Sequence, residues 1–373
     1  MKQPMRVGVI GTGWWADLEH LPGLRSRPDV EVVALCGRDP ERAKALAGKH
    51  HVTNVYTDWQ EMIARAEMDA LVICTPNVLH RPQALAALSR GLYVICEKPL
   101  AMNLAEAREM VAAARAARRR TLTFFTHRTI AAATYIKQLI ENGFLGNPSL
   151  VIAQYFSASH LDPNRPIVWR MLKDQAGSGA LGDIGSHVID LVRWWLGDFA
   201  RVCGALRTFV SDRPRAVGAV ERAAVTADDA AVFQADLACG AQAVFMAGKT
   251  AAGRSNYQRV ELHGSRGSLI YETEPGFDPT WEGRVYAGWA GAFGVNPLAI
   301  PAELSAGLAT EDPQANRNEA FRRLTDPFFA AVRGQAGVEV RPDFADGAAV
   351  QAVLDAVSEA SASRGWVDVA AAV

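Results

Sequence analysis

The feature that most constrains this chain is a short apolar run, residues 6–10, that breaks directly into Gly11-Thr12-Gly13-Trp14-Trp15-Ala16 and then into a helical pattern. In a strand–turn–helix of the form G-x-G-x-x-A each small residue has a physical reason. The first glycine permits the tight turn, the second lets the backbone approach a pyrophosphate, and the alanine keeps helix and strand close. The helix start then offers unpaired N–H groups to an anion. Such a pattern is informative only in the right setting, and here the setting is present. Apolar runs recur at 31–36, 70–74, 92–96 and 122–125, separated by helical stretches around 15–25, 40–48, 59–66, 79–90 and 104–117. The runs alternate little, as expected of strands covered on both faces of a parallel sheet. Strand–helix alternation means βαβ units, so residues 1–127 are expected to form an α/β Rossmann domain, a doubly wound parallel sheet that binds NAD or NADP at the carboxyl edge of its strands.

After residue 126 the rhythm changes. A helix at 130–142 leads through Gly146-Asn147-Pro148 to a strand at 150–156, a polar loop, the glycine-rich stretch 177–182 and a helix at 184–196. Strands then follow one another at 202–210, 230–237, 241–247, 258–263 and 268–272, joined by short glycine-containing turns, which predicts antiparallel hairpins. Helices at 319–333 and 346–363 close the chain. Residues 128–373 are therefore expected to form a C-terminal α+β domain with a large, mostly antiparallel open sheet, and 287–307 a surface loop or oligomer arm. At 373 residues the chain exceeds what one core usually supports, which agrees with two domains.

Composition excludes several classes. With 39 basic against 40 acidic side chains and a net charge of -1, there is no electrostatic footprint for nucleic acid. The run Arg118, Arg119, Arg120 is expected to be a solvated helix end. No apolar run approaches a membrane span, and the N-terminus enters a strand without a signal-type core, so no membrane partner and a cytoplasmic location are expected. The five cysteines (Cys36, Cys74, Cys96, Cys203 and Cys239) show neither metal-ligand nor redox spacing, and their odd number argues against a disulfide framework. No metal is expected.

Which dinucleotide binds is decided at the end of the second strand. A carboxylate there would bond the ribose 2′-hydroxyl of NAD. This chain has Leu35-Cys36-Gly37-Arg38 instead. Gly37 leaves room and Arg38 can pair with a 2′-phosphate, which favours NADP over NAD. The alternative is that Arg38 is simply solvated and Asp39 bonds the ribose. The fourth and fifth strands end in Thr75-Pro76-Asn77, followed by His80, and in Glu97-Lys98-Pro99. Both ends fall on the carboxyl edge. Gly11, Thr12, Gly13, Trp14, Gly37, Arg38, Thr75, Asn77, His80, Glu97 and Lys98 are the expected cofactor-binding residues, although Asn77 also suits an N-cap and His80 a structural role.

These residues, together with Gly179-Ala180-Leu181-Gly182-Asp183-Ile184-Gly185-Ser186-His187-Val188-Ile189-Asp190, Asp228-Asp229-Ala230 and the hairpin 260–268, resemble the Gfo/Idh/MocA family of glucose–fructose oxidoreductase, inositol dehydrogenase and relatives. The match runs over nearly the whole chain. The E-K-P motif combined with D-x-x-x-H on a second-domain helix is its specific part. The resemblance implies a Rossmann domain plus an α/β domain whose open sheet often makes oligomer contacts, hence a homodimer or homotetramer through the C-terminal sheet.

Asp183 and His187, four apart, share a helix face, and Asp190 follows three later. A histidine with neighbouring carboxylates is held in one tautomer and made more basic, which suits a general base. A capping aspartate and a core histidine would look the same. The resemblance implies that Lys98, Asp183 and His187 are the catalytic trio. It further implies hydride transfer between a nicotinamide and a carbinol or carbonyl of a sugar, cyclitol or related polyhydroxy compound. Trp169-Arg170 resembles a family dipeptide near cofactor and substrate, so Arg170 is expected to contact phosphate or a sugar hydroxyl, or else to lie on the surface. Arg128 is a weaker candidate. Two other functions stay open: an NAD-dependent glycosidase working through transient redox, and a non-catalytic dinucleotide- or sugar-sensing regulator on the same fold. A sensor has no need of a proton-transfer pair such as Lys98 and His187.

Overall fold

Six short strands, β1 (Met5–Ile10), β2 (Val30–Cys36), β3 (Asn54–Tyr56), β4 (Ala70–Ile73), β5 (Tyr93–Cys96) and β6 (Thr121–Thr123), lie in the order β3-β2-β1-β4-β5-β6. Every neighbouring pair is parallel. In this computed structural model, which describes residues 3–274 and 280–373, the strand order reverses beside β1. That reversal opens a crevice at the carboxyl edge of the sheet. The crossovers are a π-helical turn (Ala16–His20) running into α1 (Leu21–Arg25), then α2 (Pro40–His50), α3 (Trp59–Arg65), α4 (His80–Ser89) and α5 (Leu104–Ala117). Local chemistry sets their limits. Asp39, Asp58 and Asn103 accept hydrogen bonds from the first-turn amides of α2, α3 and α5, and His51 and Arg118 turn left-handed at the ends of α2 and α5.

This first unit comprises Met1–Thr126, Arg317–Ala348 and Val373. Residues 317–348, read from the sequence with the second domain, thus cluster with the first. The helix Pro313–Val332 brings Phe321, Leu324, Phe328 and Phe329 into a core with Val7, Val9, Leu35, Val72 and Ile95. Each such side chain contributes roughly 1.5–3 kcal/mol on full burial. Gly23 is required there, because a Cβ would lie 2.3 Å from the Phe321 ring.

The second unit comprises His127–Asn316 and Ala349–Ala372. Its strands are β7 (Pro148–Phe156), β8 (Phe199–Arg207), β9 (Asp212–Pro214), β10 (Arg222–Ala224), β11 (Ala230–Leu237), β12 (Gln242–Gly248), β13 (Tyr257–Gly264), β14 (Gly267–Thr273), β15 (Arg284–Trp289), β16 (Asn296–Leu298) and β17 (Val367–Asp368). Nine of them form one sheet in the order β16-β15-β14-β13-β7-β12-β11-β8-β17, and β9 with β10 forms a separate ribbon. Among the described residues of this unit only β7 and β12 pair in parallel. Along β11 every second side chain is buried, while Val232 between them is half exposed. That period-two pattern is expected of a sheet with one covered face. The helices Ala131–Glu141 and Ser186–Leu196 pack in this unit. The stretch 287–307, expected to be a loop, instead begins as the end of β15, which pairs with β16, and goes on into the short helix Ala302–Ser305.

Candidate functional site

In the first unit the glycine turn has the shape its sequence requires. Gly11 has φ +124°, and a Cβ there would lie 2.1 Å from the Cys74 carbonyl oxygen, so the fold itself demands glycine. Around Gly13 a Cβ would meet nothing within 4 Å. The chain leaves that space open, and a pyrophosphate approaching the following helix start would use it. Gly37 has a packing role besides, since a Cβ would lie 2.4 Å from the Thr12 methyl carbon. Arg38 next to it is exposed, as is Trp14. Asp39 is engaged in capping: its Oδ1 accepts from the amides of Glu41 (3.0 Å) and Arg42 (3.1 Å).

Behind this turn sits a buried polar cluster. Glu97 Oε1 accepts from Trp15 Nε1 and meets His20 Nε2, each at 2.8 Å, and Oε2 accepts from the Lys98 amide at 3.1 Å. Burial alone would raise the Glu97 carboxyl, but the hydrogen bond and charge of His20 and the charge of Lys98 outweigh it and hold the group below its ordinary range. Glu97 therefore anchors the Lys98 backbone to the first helix. His20, Cys74 and Glu97 place donor atoms within 4.8 Å of one another, and within this group His20 Nε2 and Glu97 Oε1 are hydrogen-bonded. His80 is fully buried, with Nδ1 3.0 Å from the Pro99 carbonyl oxygen and Nε2 3.0 Å from that of Thr75. Burial lowers its pKa against the pull of those carbonyls. It ties together the loops that end β4 and β5. Thr75 Oγ1 donates to Gln83 (2.8 Å), and Asn77 opens the turn leading into α4.

In the second unit Asp183 lies in a π-helical turn, Leu181–Gly185, that leads into the helix Ser186–Leu196. Asp228 fixes the turn: its carboxylate accepts from the amides of Gly179 (2.6 Å) and Leu181 (2.8 Å). A Cβ on Gly179 would fall 1.9 Å from the Asp228 carbonyl oxygen. Asp183 Oδ2 lies 2.5 Å from Lys249 Nζ, and Oδ1 lies 3.4 Å from Arg170 Nε. Asp190 takes a two-pronged hydrogen bond from Arg128, at 2.8 and 2.6 Å, with both side chains buried. The sequence placed two carboxylates beside His187 to raise its basicity. The structure gives each of them a cationic partner. His187 stacks on His127, with ring centroids 3.7 Å apart and planes at 18°. Tyr155 lies 6.2 Å from the His187 ring, and burial followed by the charge of Asp183 pushes its hydroxyl pKa up. Arg170 also lies 4.3 Å over the Trp169 ring.

Sequence reading missed Trp15 and His20 as supports of Glu97, His127 as the stacking partner of His187, and Lys249. The last had a signal. Ala243, Phe245 and Ala247 are buried along β12, and Lys249 falls on the same inward period. Among the described residues all five cysteines are free of disulfides, and burial pushes the Cys36 thiol up to about 12. No helix among them is long and apolar enough to cross a membrane.

A parallel sheet in this order with a glycine turn after its first strand, on a chain that continues into a large antiparallel sheet, defines the class of two-part dinucleotide oxidoreductases. The particular family is shown by direct matches. Residues 5–125 match the GFO/IDH/MocA oxidoreductase family with NAD-binding Rossmann fold, residues 133–270 match the C-terminal domain of that family, and the chain belongs to it. Levoglucosan dehydrogenase of Pseudarthrobacter phenanthrenivorans is 31% identical over 98% of both chains. The solved structure of a levoglucosan dehydrogenase in complex with NADH superposes with a TM-score of 0.87 at 30% identity, covering 99% of this chain and 100% of that one. An oxidoreductase domain protein from Kribbella flavida gives a TM-score of 0.86 at 35% identity over 99% and 100%.

Proposed function

We propose that this chain is a nicotinamide-dependent dehydrogenase that acts on a carbinol of a sugar, cyclitol or related polyhydroxy compound. The observation that carries the reading is His187 on a helix led into by a π-helical turn that holds Asp183 between Lys249 and Arg170. When bound, the nicotinamide accepts or returns a hydride. His187 takes the hydroxyl proton onto an imidazole nitrogen in oxidation and gives it back in reduction. Lys98 stabilises negative charge developing on the reacting oxygen, and Asp183 accepts a hydrogen bond that orients the substrate. Gly11, Thr12, Gly13 and Trp14 bind the dinucleotide diphosphate, with Thr75, Asn77 and the Glu97-Lys98 turn completing that edge of the sheet.

NADP is the proposed cofactor, because exposed Arg38 can reach a 2′-phosphate while Asp39 is occupied in a helix cap. NAD is the second reading, favoured by the NADH bound to the levoglucosan dehydrogenase relative. The open sheet of the second unit is proposed as the surface for a homodimer or homotetramer.

The test is a thermal shift with each dinucleotide, followed by cofactor reduction across sugars, inositols and levoglucosan. The expected result is a larger shift with NADP, reversed in Arg38→Ala, and reduction driven by at least one polyol. A larger shift with NAD overturns the cofactor preference. Release of free sugar without net reduction overturns the dehydrogenase reading.

A further inference from the structure

Lys249 is a deeply buried ammonium in contact with Asp183, one of the proposed site residues. Its backbone is fixed on both sides: the amide donates to the Asp229 carbonyl (2.9 Å), and the carbonyl accepts from the His160 amide (2.8 Å). The side chain is 2% exposed, whereas that of its partner Asp183 is 26% exposed. An ammonium withdrawn from water costs several kcal/mol unless it is closely paired. Its carboxylate partner at 2.5 Å offsets that cost while remaining the member of the pair that reaches solvent.

We propose that Lys249 is a positioning residue that keeps Asp183 ionised and locks one of its oxygens inward, so that the other faces the substrate; this rests on the reaction assigned above. Other charges around the pair agree. Arg170, from the turn Trp169–Met171, approaches Oδ1 at a looser 3.4 Å, a distance at which that oxygen can still accept from a substrate hydroxyl. Tyr155, on β7, senses the negative charge of Asp183, while Asp228 and His160 sense the positive charge of Lys249. His187 is four residues along the same turn and helix. With Asp183 fixed as an acceptor, proton transfer falls to His187 alone.

The experiment compares Lys249→Met, Lys249→Arg and Asp183→Asn. The first readout needs no activity: the side-chain carboxyl of Asp183 is followed by carbon NMR in aspartate-labelled protein and assigned by its loss in Asp183→Asn. An opposite charge at contact lowers a carboxyl by about 1–3 pH units. Lys249→Met should therefore raise the midpoint by at least about one unit, and Lys249→Arg should restore it. The second readout is kcat/KM against pH. Its acid limb should move up by the same amount in Lys249→Met, and the substitution should cost nothing further in the Asp183→Asn background. An unmoved carboxyl midpoint, or losses that multiply in the double variant, overturns the proposal. If Lys249→Met does not fold, Lys249→Gln serves in its place under the same criteria. A shifted midpoint with normal turnover in both Asp183→Asn and His187→Ala overturns the reaction assignment and leaves the electrostatic pairing standing.

Discussion

The two units treat buried carboxyl groups differently. In the second, Asp228 accepts two backbone amides, Asp229 accepts two amides and meets His160 at 3.0 Å, and Asp190 is clasped by Arg128. In the first, Glu97 is saturated in the same way, but Glu19 is fully buried with no hydrogen-bond partner for either oxygen among the described residues. Burial pushes the Glu19 carboxyl up to about 8, with the charge of Arg317 pulling it back and that of Glu97 adding to the rise. A saturated set holds its carboxyl groups in one geometry. An unsaturated carboxyl has no such hold, and its unit carries a pH-dependent weakness.

The sharpest way to break this comparison is to remove the imidazole. His187→Ala should lower turnover by about 10²–10⁴-fold, the usual contribution of a general acid–base. The thermal shift given by the dinucleotide should be unchanged, since the glycine turn belongs to the other unit. Normal turnover would remove the proton-transfer role from the second unit, and a lost dinucleotide shift would mean that the two units do not separate binding from chemistry.

Glu19→Gln tests the weakness in the first unit. The folded chain holds the Glu19 proton to about 8, whereas the unfolded chain releases it near its ordinary 4.5. Between those values the folded state binds more protons, so this group's contribution to stability falls as pH rises. At about 1.4 kcal/mol per pH unit the loss reaches about 3 kcal/mol by pH 7. The variant should therefore match the parent near pH 5 and exceed its unfolding free energy increasingly up to pH 8. A gap that stays constant with pH would show that Glu19 is not held protonated.

Much of this was legible because it is local. The strand into Gly11–Ala16, the β–α alternation and the glycine-turned hairpins are written in consecutive residues, and the second unit's sheet follows from period-two burial. What escaped depends on distant structure. Lys249 meets Asp183 across 66 residues, and in the window Phe245-Met246-Ala247-Gly248-Lys249 only its inward register marks it. Glu19 stands three residues after buried Ala16 and four before buried Gly23, on the inward face, but its charge hides it, because an acidic side chain reads as solvent-facing and what covers it is distant in the chain. The return of 317–348 to the first core leaves no mark in the sequence either, since an amphipathic helix shows that it has a buried face and not which core receives it.

The smallest effect tests the reading of the second strand's end. Asp39 caps α2 through two amides and stands beside Arg38, so the sequence allowed it to be either the cap or the ribose partner. Asp39→Ala should cost about 1 kcal/mol of stability, the usual worth of an N-cap, while Asp39→Ser should recover most of it, because a hydroxyl caps nearly as well. Neither change should alter the ratio of NADP to NAD affinity if Arg38 reads the phosphate. Should Asp39→Ser keep its stability and yet lose NAD affinity selectively, the carboxylate binds ribose, and the exposed Arg38 is only a solvated neighbour.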